Sequence, residues 1–388
     1  MKILFFANTD WYLYNFRLGL ARFLGRCGHE VVMVSPPGSH GPRLEAEGFR
    51  WIPLDMQRRS LNPLREARLV LRLIKLYREE RPDLVHHFTL KCVIYGAIAA
   101  RIANVRAVIH AIAGFGFVFV SDTLLALALR PFVRRMLRAA CSQRGSAIIV
   151  QNSDDLAAVR RLSIGNTPVH LIRGSGVDVD RFKPRTAPRP DGPLNVLFVG
   201  RLLIDKGIED FVSAASMCQA LIPGKLKFLA AGEPDFGNPA SVPPERLSTW
   251  RDGGTVDFLG HVEDMAMLLS SADIVVLPSY GEGAPRSLIE AAACAIPLVA
   301  TDVRGCREVV VDGHNGYLVP LRDVDALVHA IVQLAEDPAL RERMGNAGRR
   351  RVLDELQERT VVDKTYQVYQ QVLTAPRRLE AGGGAIPS

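Results

Sequence analysis

Four charged side chains have the types and spacing to grip a phosphorylated sugar. Arg201 and Lys206 lie in Gly200-Arg201-Leu202-Leu203-Ile204-Asp205-Lys206-Gly207, just past the apolar run Val196 to Val199. Arginine can hold a phosphate in a two-pronged fork, and lysine can neutralise one as a point charge. Glu282 and Glu290 fall in Ile274 to Thr301, read IVVLPSYGEGAPRSLIEAAACAIPLVAT. In that stretch Ile274 to Leu277 predicts a strand buried on both faces, and Ser279 to Ala284 a polar loop. Pro285 suits the first turn of a helix over about Arg286 to Ala295, which Pro297 stops before the strand Leu298-Val299-Ala300. Beyond the carboxyl end of such a strand, a helix start offers unpaired N–H groups to an anion. Carboxylates beside an anion site imply a ligand carrying both phosphate and hydroxyl groups, such as a nucleotide sugar. The plain alternative is a solvated loop, with Arg286 and Glu290 forming a surface ion pair worth about a few tenths of a kcal/mol.

The elements that must position these groups follow an α/β grammar. Strands are predicted at Lys2–Ala7, Glu30–Ser35, Arg50–Leu54, Leu84–Phe88, Arg106–Ala111, Ala147–Gln151 and Val169–Ile172, with helical segments between them, notably Tyr14–Arg26, Pro63–Glu80, Val93–Ala103 and Thr123–Ala140. A Pro-rich break over Phe182–Pro193 reads as a linker. The pattern then restarts with strands at Asn195–Val199, Leu226–Ala231, Val256–Leu259, Asp273–Leu277, Pro297–Ala300 and Gly316–Val319. This predicts two doubly wound, Rossmann-like domains facing across a cleft, over 1–185 and 186–356. A C-terminal helix at about 357–375 joins the first domain, and a Gly-rich tail, 376–388, is expected to be disordered.

Composition narrows the class further. At 388 residues, 48% hydrophobic and 23% charged, the chain is an ordinary globular one, and no apolar run reaches the length of a membrane span. The start Met1 to Ala7 reads as a first strand, not a signal peptide. Six scattered cysteines, with no Cys-x-x-Cys, fit reduced thiols in a cytoplasmic protein. The net charge of +7 divides unevenly, at +14 for residues 1–185 and −7 for the rest. A basic half can meet an anionic membrane or nucleic acid. No helix-turn-helix, aromatic RNA platform or zinc spacing supports nucleic acid. No G-x-G-x-x-G follows the first strand, which disfavours a dinucleotide dehydrogenase.

The second half resembles the retaining GT-B glycosyltransferases of family 4. The resemblance rests on Gly200-Arg201…Lys206-Gly207, Val256 to Val262, Ala272 to Ser279, the block Glu282 to Thr301, and Gly305…Glu308 through Gly316 to Val319. It extends into the first half through Gly28 to Val31, Gly176-Val177-Asp178 and Phe182. The first half is similar to a narrower group, which extends undecaprenyl-diphosphate-linked sugars for O-antigen, capsule or glycoprotein glycans. That likeness lies in Asn15-Phe16-Arg17-Leu18, Lys91…Tyr95-Gly96, Gly114-Phe115-Gly116…Phe119 and Val150 to Asp155.

The resemblance implies roles. Arg201 and Lys206 would bind the donor diphosphate and stabilise charge on the leaving group. Glu290 would accept from ribose hydroxyls, and Glu282 would hold the transferred sugar. The N–H groups near Ser287 and Leu288 would complete the phosphate site, Ala284, Pro285 and Arg286 would join in binding the donor, and His261 and Val262 would border the base. No metal or other cofactor is required. His110 is expected to face the cleft near the reacting groups, and His86 or His87 to reach substrate. Acceptor contacts are expected from Asp10, Asn15, Arg17, His87, Lys91, Gly114, Phe115 and Gly116. The loop Asn8-Thr9-Asp10 departs from the Gly-Gly form common in the family, which points to acceptor recognition.

Thr123 to Arg144 mixes Leu124, Leu125, Leu127, Leu129, Phe132, Val133 and Leu137 with Arg130, Arg134, Arg135 and Arg138. Such a helix can lie in a membrane interface, with Arg58, Arg59, Arg65, Arg68 and Arg72 adding to the surface. The same pattern also suits a helix packed on the sheet. The expected activity is sugar transfer from a nucleotide sugar, UDP-linked and possibly a UDP-N-acetylhexosamine, to a polyprenyl-diphosphate-linked saccharide at the inner face of the cytoplasmic membrane. The alternatives are an epimerase of the same architecture, or a glycosyltransferase with a soluble or phospholipid acceptor.

Overall fold

The computed structural model describes residues 1–57, 62–112, 124–143, 145–162, 165–235 and 237–374. Two all-parallel sheets organise them. The first holds β1 (Lys2–Phe6), β2 (Glu30–Ser35), β3 (Arg50–Pro53), β4 (Leu84–Phe88), β5 (Ala107–Ile112), β6 (Ser146–Val150) and β7 (Val169–Leu171) in the order β3-β2-β1-β4-β5-β6-β7. The second holds β8 (Leu194–Val199), β9 (Leu226–Ala231), β10 (Val256–Gly260), β11 (Ile274–Leu277), β12 (Leu298–Thr301) and β13 (Gly316–Val319) in the order β10-β9-β8-β11-β12-β13. Every predicted run is a strand, with ends shifted by a single residue at most. Apolar runs without alternation made this legible, because strands covered on both faces need no polar side.

Each sheet reverses its strand order beside its first strand. Ile3 pairs with Val31 on one side and Leu84 on the other, and Val275 lies between Leu197 and Leu298. Such switch points open crevices at the carboxyl ends of the strands, where ligands bind. The crevice of the second sheet holds the loops bearing Arg201, Lys206 and Glu282.

Alternation along β1 splits the first core in two. Ile3 and Phe5 pack under the helices Asp10–Arg26 and Glu358–Thr374, while Leu4 and Phe6 face the helices Pro63–Glu80 and Leu90–Ile102. The C-terminal helix therefore covers the first sheet, with Tyr369 fully buried there. The chain crosses between sheets twice, and the crossings lie side by side. The Val177 N–H donates to the Leu356 carbonyl (3.1 Å), and the Glu358 N–H returns a bond to the Val177 carbonyl (2.9 Å). Gly176, at φ 78°, permits this, since a Cβ there would lie 2.9 Å from the Glu358 nitrogen.

Two expectations are corrected. The first helix begins at Asp10, not Tyr14, because the Thr9 hydroxyl caps it by accepting from the Tyr12 N–H at 3.1 Å. The stripe expected to meet membrane on the helix Leu124–Cys141 is core where it is described. Leu137, Ala140 and Cys141 are buried with β6 and the helix Leu90–Ile102, leaving Arg134, Arg135 and Arg138 outward. The side chains of Leu124, Leu125, Leu127, Leu129 and Phe132 lie outside the described set, as do Arg58, Arg59, the segment Gly114-Phe115-Gly116, and the tail. Among the described residues no helix is long and apolar enough to cross a membrane.

Candidate active site

The loop after β8 is folded back onto the end of β11. Gly207, at φ 72°, makes this possible, since any Cβ there would overlap the Pro278 carbonyl. The Asp205 carbonyl then accepts from the Tyr280 N–H at 2.8 Å and from the Ser279 hydroxyl at 3.2 Å. These bonds bring two sequence-predicted residues together: Lys206 Nζ donates to Glu282 Oε1 at 2.6 Å, with both side chains largely out of solvent. Gly305 sets the loop from the other side, because a Cβ on it would stand 2.6 Å from the Glu282 carbonyl group and the Gly283 oxygen. Arg201 leaves the same sheet edge half-exposed and donates to Asp235. Asp235 was not anticipated; it follows β9 on the same edge, a placement no local spacing reveals.

The helix Arg286–Ala293 begins after Pro285, as expected. Glu290 is only 9% exposed, and Arg286 Nε donates to its Oε1 at 2.7 Å. Burial pushes the Glu290 carboxyl above the usual carboxylate range, with Arg286 and Arg181 pulling the other way. The ion pair is therefore real but is not a surface one. Arg286 also donates to the Asn15 carbonyl of the first domain, and its guanidinium lies 5.5 Å from the Phe16 ring centroid. Asn15, Phe16, Arg181, Arg286 and Glu358 line a cavity of about 210 Å³ between the domains. Ser287 remains half-buried at the helix start. The Leu288 side chain is core, and its N–H donates to the Pro285 carbonyl at 3.2 Å. Ala284 lies beside Gly174 of the crossover. His261 is exposed past β10, and Val262 packs on the second core.

The first-domain candidates divide. Asp10 is corrected from acceptor contact to loop anchor: its Oδ2 accepts from the N–H groups of His40 (2.7 Å) and Gly41 (2.9 Å). Arg17 is 6% exposed, donates to the Tyr12 hydroxyl at 2.7 Å and stacks 4.5 Å over the Phe88 ring, inside its own domain. Lys91 reaches back to the Gln57 carbonyl (2.6 Å) and Glu66 (2.9 Å).

The histidines are also corrected. Strand alternation puts His110 on the same side of β5 as Val108 and Ile112, beneath helices, with no exposed surface. It sits 3.4 Å from His87, which in turn meets the Tyr77 hydroxyl at 3.0 Å under Gly96. Burial lowers the His110 imidazole to about 3 and holds His87 well below its ordinary value, so both are neutral. His86 faces the other layer, 2.5 Å from the Tyr369 hydroxyl of the C-terminal helix.

Two parallel Rossmann-like sheets with cations and carboxylates at the carboxyl edge of the second define a GT-B-type transferase. Residues 179–351 match the family of glycosyl transferases group 1, and residues 2–152 match the glycosyl transferase 4-like family. The glycogen synthase of Mycobacterium tuberculosis is 31% identical over 379 residues, covering 90% of this chain and 88% of that protein. The N,N'-diacetylbacillosaminyl-diphospho-undecaprenol alpha-1,3-N-acetylgalactosaminyltransferase of Campylobacter jejuni is 26% identical, covering 96% and 99%. The structure of Anabaena Alr3699/HepE in complex with UDP-glucose superposes with a TM-score of 0.76 at 20% identity, covering 96% and 100%. The chain belongs to the family 4, group 1 glycosyltransferases, and it is a hexosyl- or N-acetylhexosaminyl-type transferase.

Proposed function

We propose that the chain transfers a sugar, with retention, from a UDP-sugar to a hydroxyl of a polyprenyl-diphosphate-linked saccharide. The observation that carries this reading is the Lys206–Glu282 contact beside the helix that bears Glu290. Donor binding would divide that contact. The diphosphate would take Lys206 and Arg201, the sugar hydroxyls Glu282, and the ribose hydroxyls Glu290. As the anomeric C–O bond breaks, its electrons pass to the diphosphate, where the fixed cations stabilise the charge in a site largely out of solvent. The acceptor oxygen bonds from the face the leaving group vacates and gives its proton to the departing phosphate. The two cations perform the electrostatic work without a metal.

A lipid-linked acceptor is supported by the Campylobacter jejuni relative, and a soluble glucan acceptor, the second reading, by the Mycobacterium tuberculosis one. The basic first half favours the lipid. Its helix Pro63–Glu80 exposes Leu64 (77%) and Leu71 (66%) beside Arg65, Arg68 and Arg72, a face suited to an anionic bilayer from the cytoplasmic side. Radiolabelled UDP-, GDP- and dTDP-sugars incubated with a membrane lipid extract or with glucan test the reading. Label moving from a UDP-sugar into organic-extractable lipid is expected. Label entering glucan alone, or donor epimerised without an acceptor, overturns it.

A further inference from the structure

We infer that Asn152 is a positioning residue for Glu282: it reaches across the domain boundary and fixes the loop that carries the sugar-facing carboxylate. Asn152 follows β6 in the first domain and is 1% exposed. Its Nδ2 donates to the carbonyl of Gly283, the residue next to Glu282, at 3.2 Å, although 131 residues separate the two in the chain. The side chain has little freedom to swing away. Its Oδ1 accepts from the Asp155 N–H at 2.7 Å, capping the helix Ser153–Arg161, and its Nδ2 also meets Asp155 Oδ2 at 2.8 Å.

The next residues reinforce the same link. The Ser153 N–H donates to Glu308 Oε1 at 2.6 Å, and Arg173 Nε donates to Glu308 Oε2 at 2.5 Å. Glu308, 6% exposed, follows the short helix Arg304–Arg307 that contains Gly305. The Gly283 carbonyl, one residue past Glu282, is thus held between Gly305, which leaves no room for a Cβ, and the Asn152 amide. A peptide carbonyl gripped on one side by its own domain and on the other by the opposite domain takes its final position only when the two domains approach. The orientation of Glu282 is coupled to domain closure through this contact, whereas the Lys206 backbone is seated by second-domain elements.

This inference rests on the proposed role of Glu282, so its test carries one readout that needs no turnover. Asn152→Ser keeps a capping oxygen for the helix but cannot reach Gly283. In the full-length protein, amide hydrogen exchange over residues 279–288 should rise about tenfold, the loss of one buried hydrogen bond of about 1.4 kcal/mol. Exchange in β8 and β11 should stay unchanged, and the melting temperature should fall by no more than about 4 °C. Turnover should fall about tenfold or more, while the Kd for UDP, measured calorimetrically, stays within about twofold. Unchanged loop exchange overturns the role of Asn152, whatever the activity. A larger fall in melting temperature, with UDP affinity lost in step with turnover, also overturns it, in favour of a general structural role. Faster loop exchange in a chain whose wild type transfers from no nucleotide sugar keeps Asn152 as the loop's anchor and rejects the proposed function instead.

Discussion

Lys206 and Glu282 stand 76 residues apart in the chain and 2.6 Å apart in space. Their loops meet because the backbone at Gly207 lies directly on Pro278, and Tyr280 is tied to Asp205. Each charge compensates the other in a site largely withdrawn from water, so neither carries the full cost of an unpaired buried ion. The proposed donor offers a partner of the right sign to each. The pair thereby becomes a template for a molecule that is anionic at one end and hydroxylated at the other.

Replacing either member should remove transition-state stabilisation and leave the other charge half-buried and alone. Lys206→Ala and Glu282→Ala should each lower turnover by roughly 10²–10³-fold, with the fold intact by circular dichroism. The double variant should lose less than the product of the two, since each single variant also leaves the other charge unpaired in a site largely out of solvent, a penalty the double variant escapes. Additive losses in initial-rate assays would show that the residues act independently.

Glu290 should make donor affinity sensitive to acid. Its carboxyl is raised by burial, so on acidification it takes a proton sooner than an ordinary carboxylate and would cease to hold the ribose hydroxyls proposed for it as a carboxylate. The folded state binds that proton more tightly than the unfolded chain, so this group lowers stability as pH rises through the window between the two values. Glu290→Gln should therefore weaken UDP binding at pH 7 and flatten its acid limb. A variant that retains the wild-type pH profile of Kd in calorimetric titrations would contradict this role.

The buried histidines should govern acid stability and not turnover. His110 is lowered from 6.5 to about 3, so the unfolded chain binds a proton that the folded chain refuses between those values. Stability is full above about pH 6.5 and falls on acidification by about 1.4 kcal/mol per pH unit for each such group. His110→Leu should reduce that slope in urea unfolding between pH 7 and pH 5 while leaving turnover within about threefold. A hundredfold loss of turnover would return His110 to the reacting centre.

Gly207 should tolerate no side chain. Gly207→Ala adds a Cβ in left-handed backbone and against the Pro278 carbonyl, at a cost of more than about 2 kcal/mol. The loop must lift, taking Lys206 with it, so melting temperature and turnover should fall together. Gly224, also at positive φ but with open space around its Cβ position, is the control and should lose only about 1 kcal/mol as alanine.

Membrane attachment should follow the helix Pro63–Glu80. Cosedimentation with anionic vesicles should drop about tenfold for Leu64→Ser/Leu71→Ser, and Arg68→Gln/Arg72→Gln should lower it at low salt and reduce its dependence on salt. Equal loss from Arg134→Gln/Arg135→Gln would locate the contact on the neighbouring helix instead.

By itself the sequence determined the architecture and which charged residues gather at the carboxyl edge of the second sheet. Apolar runs of strand length between helical segments specify doubly covered parallel sheets, and the residues from Gly200 to Gly207 and from Glu282 to Glu290 are local signals. A strand, its loop and the next helix start are consecutive in the chain, so the groups they place together are close in sequence as well. What only the tertiary structure decided are contacts between distant segments. Arg201 meets Asp235 because β8 and β9 are neighbours in one sheet, while Arg286 bridges to Asn15 and Asn152 reaches Gly283 because two sheets and two crossovers bring their edges together. The histidines illustrate the limit most clearly. A strand turns each successive side chain to the opposite face, but which face opens to the cleft depends on where the helices pack, and here they cover both.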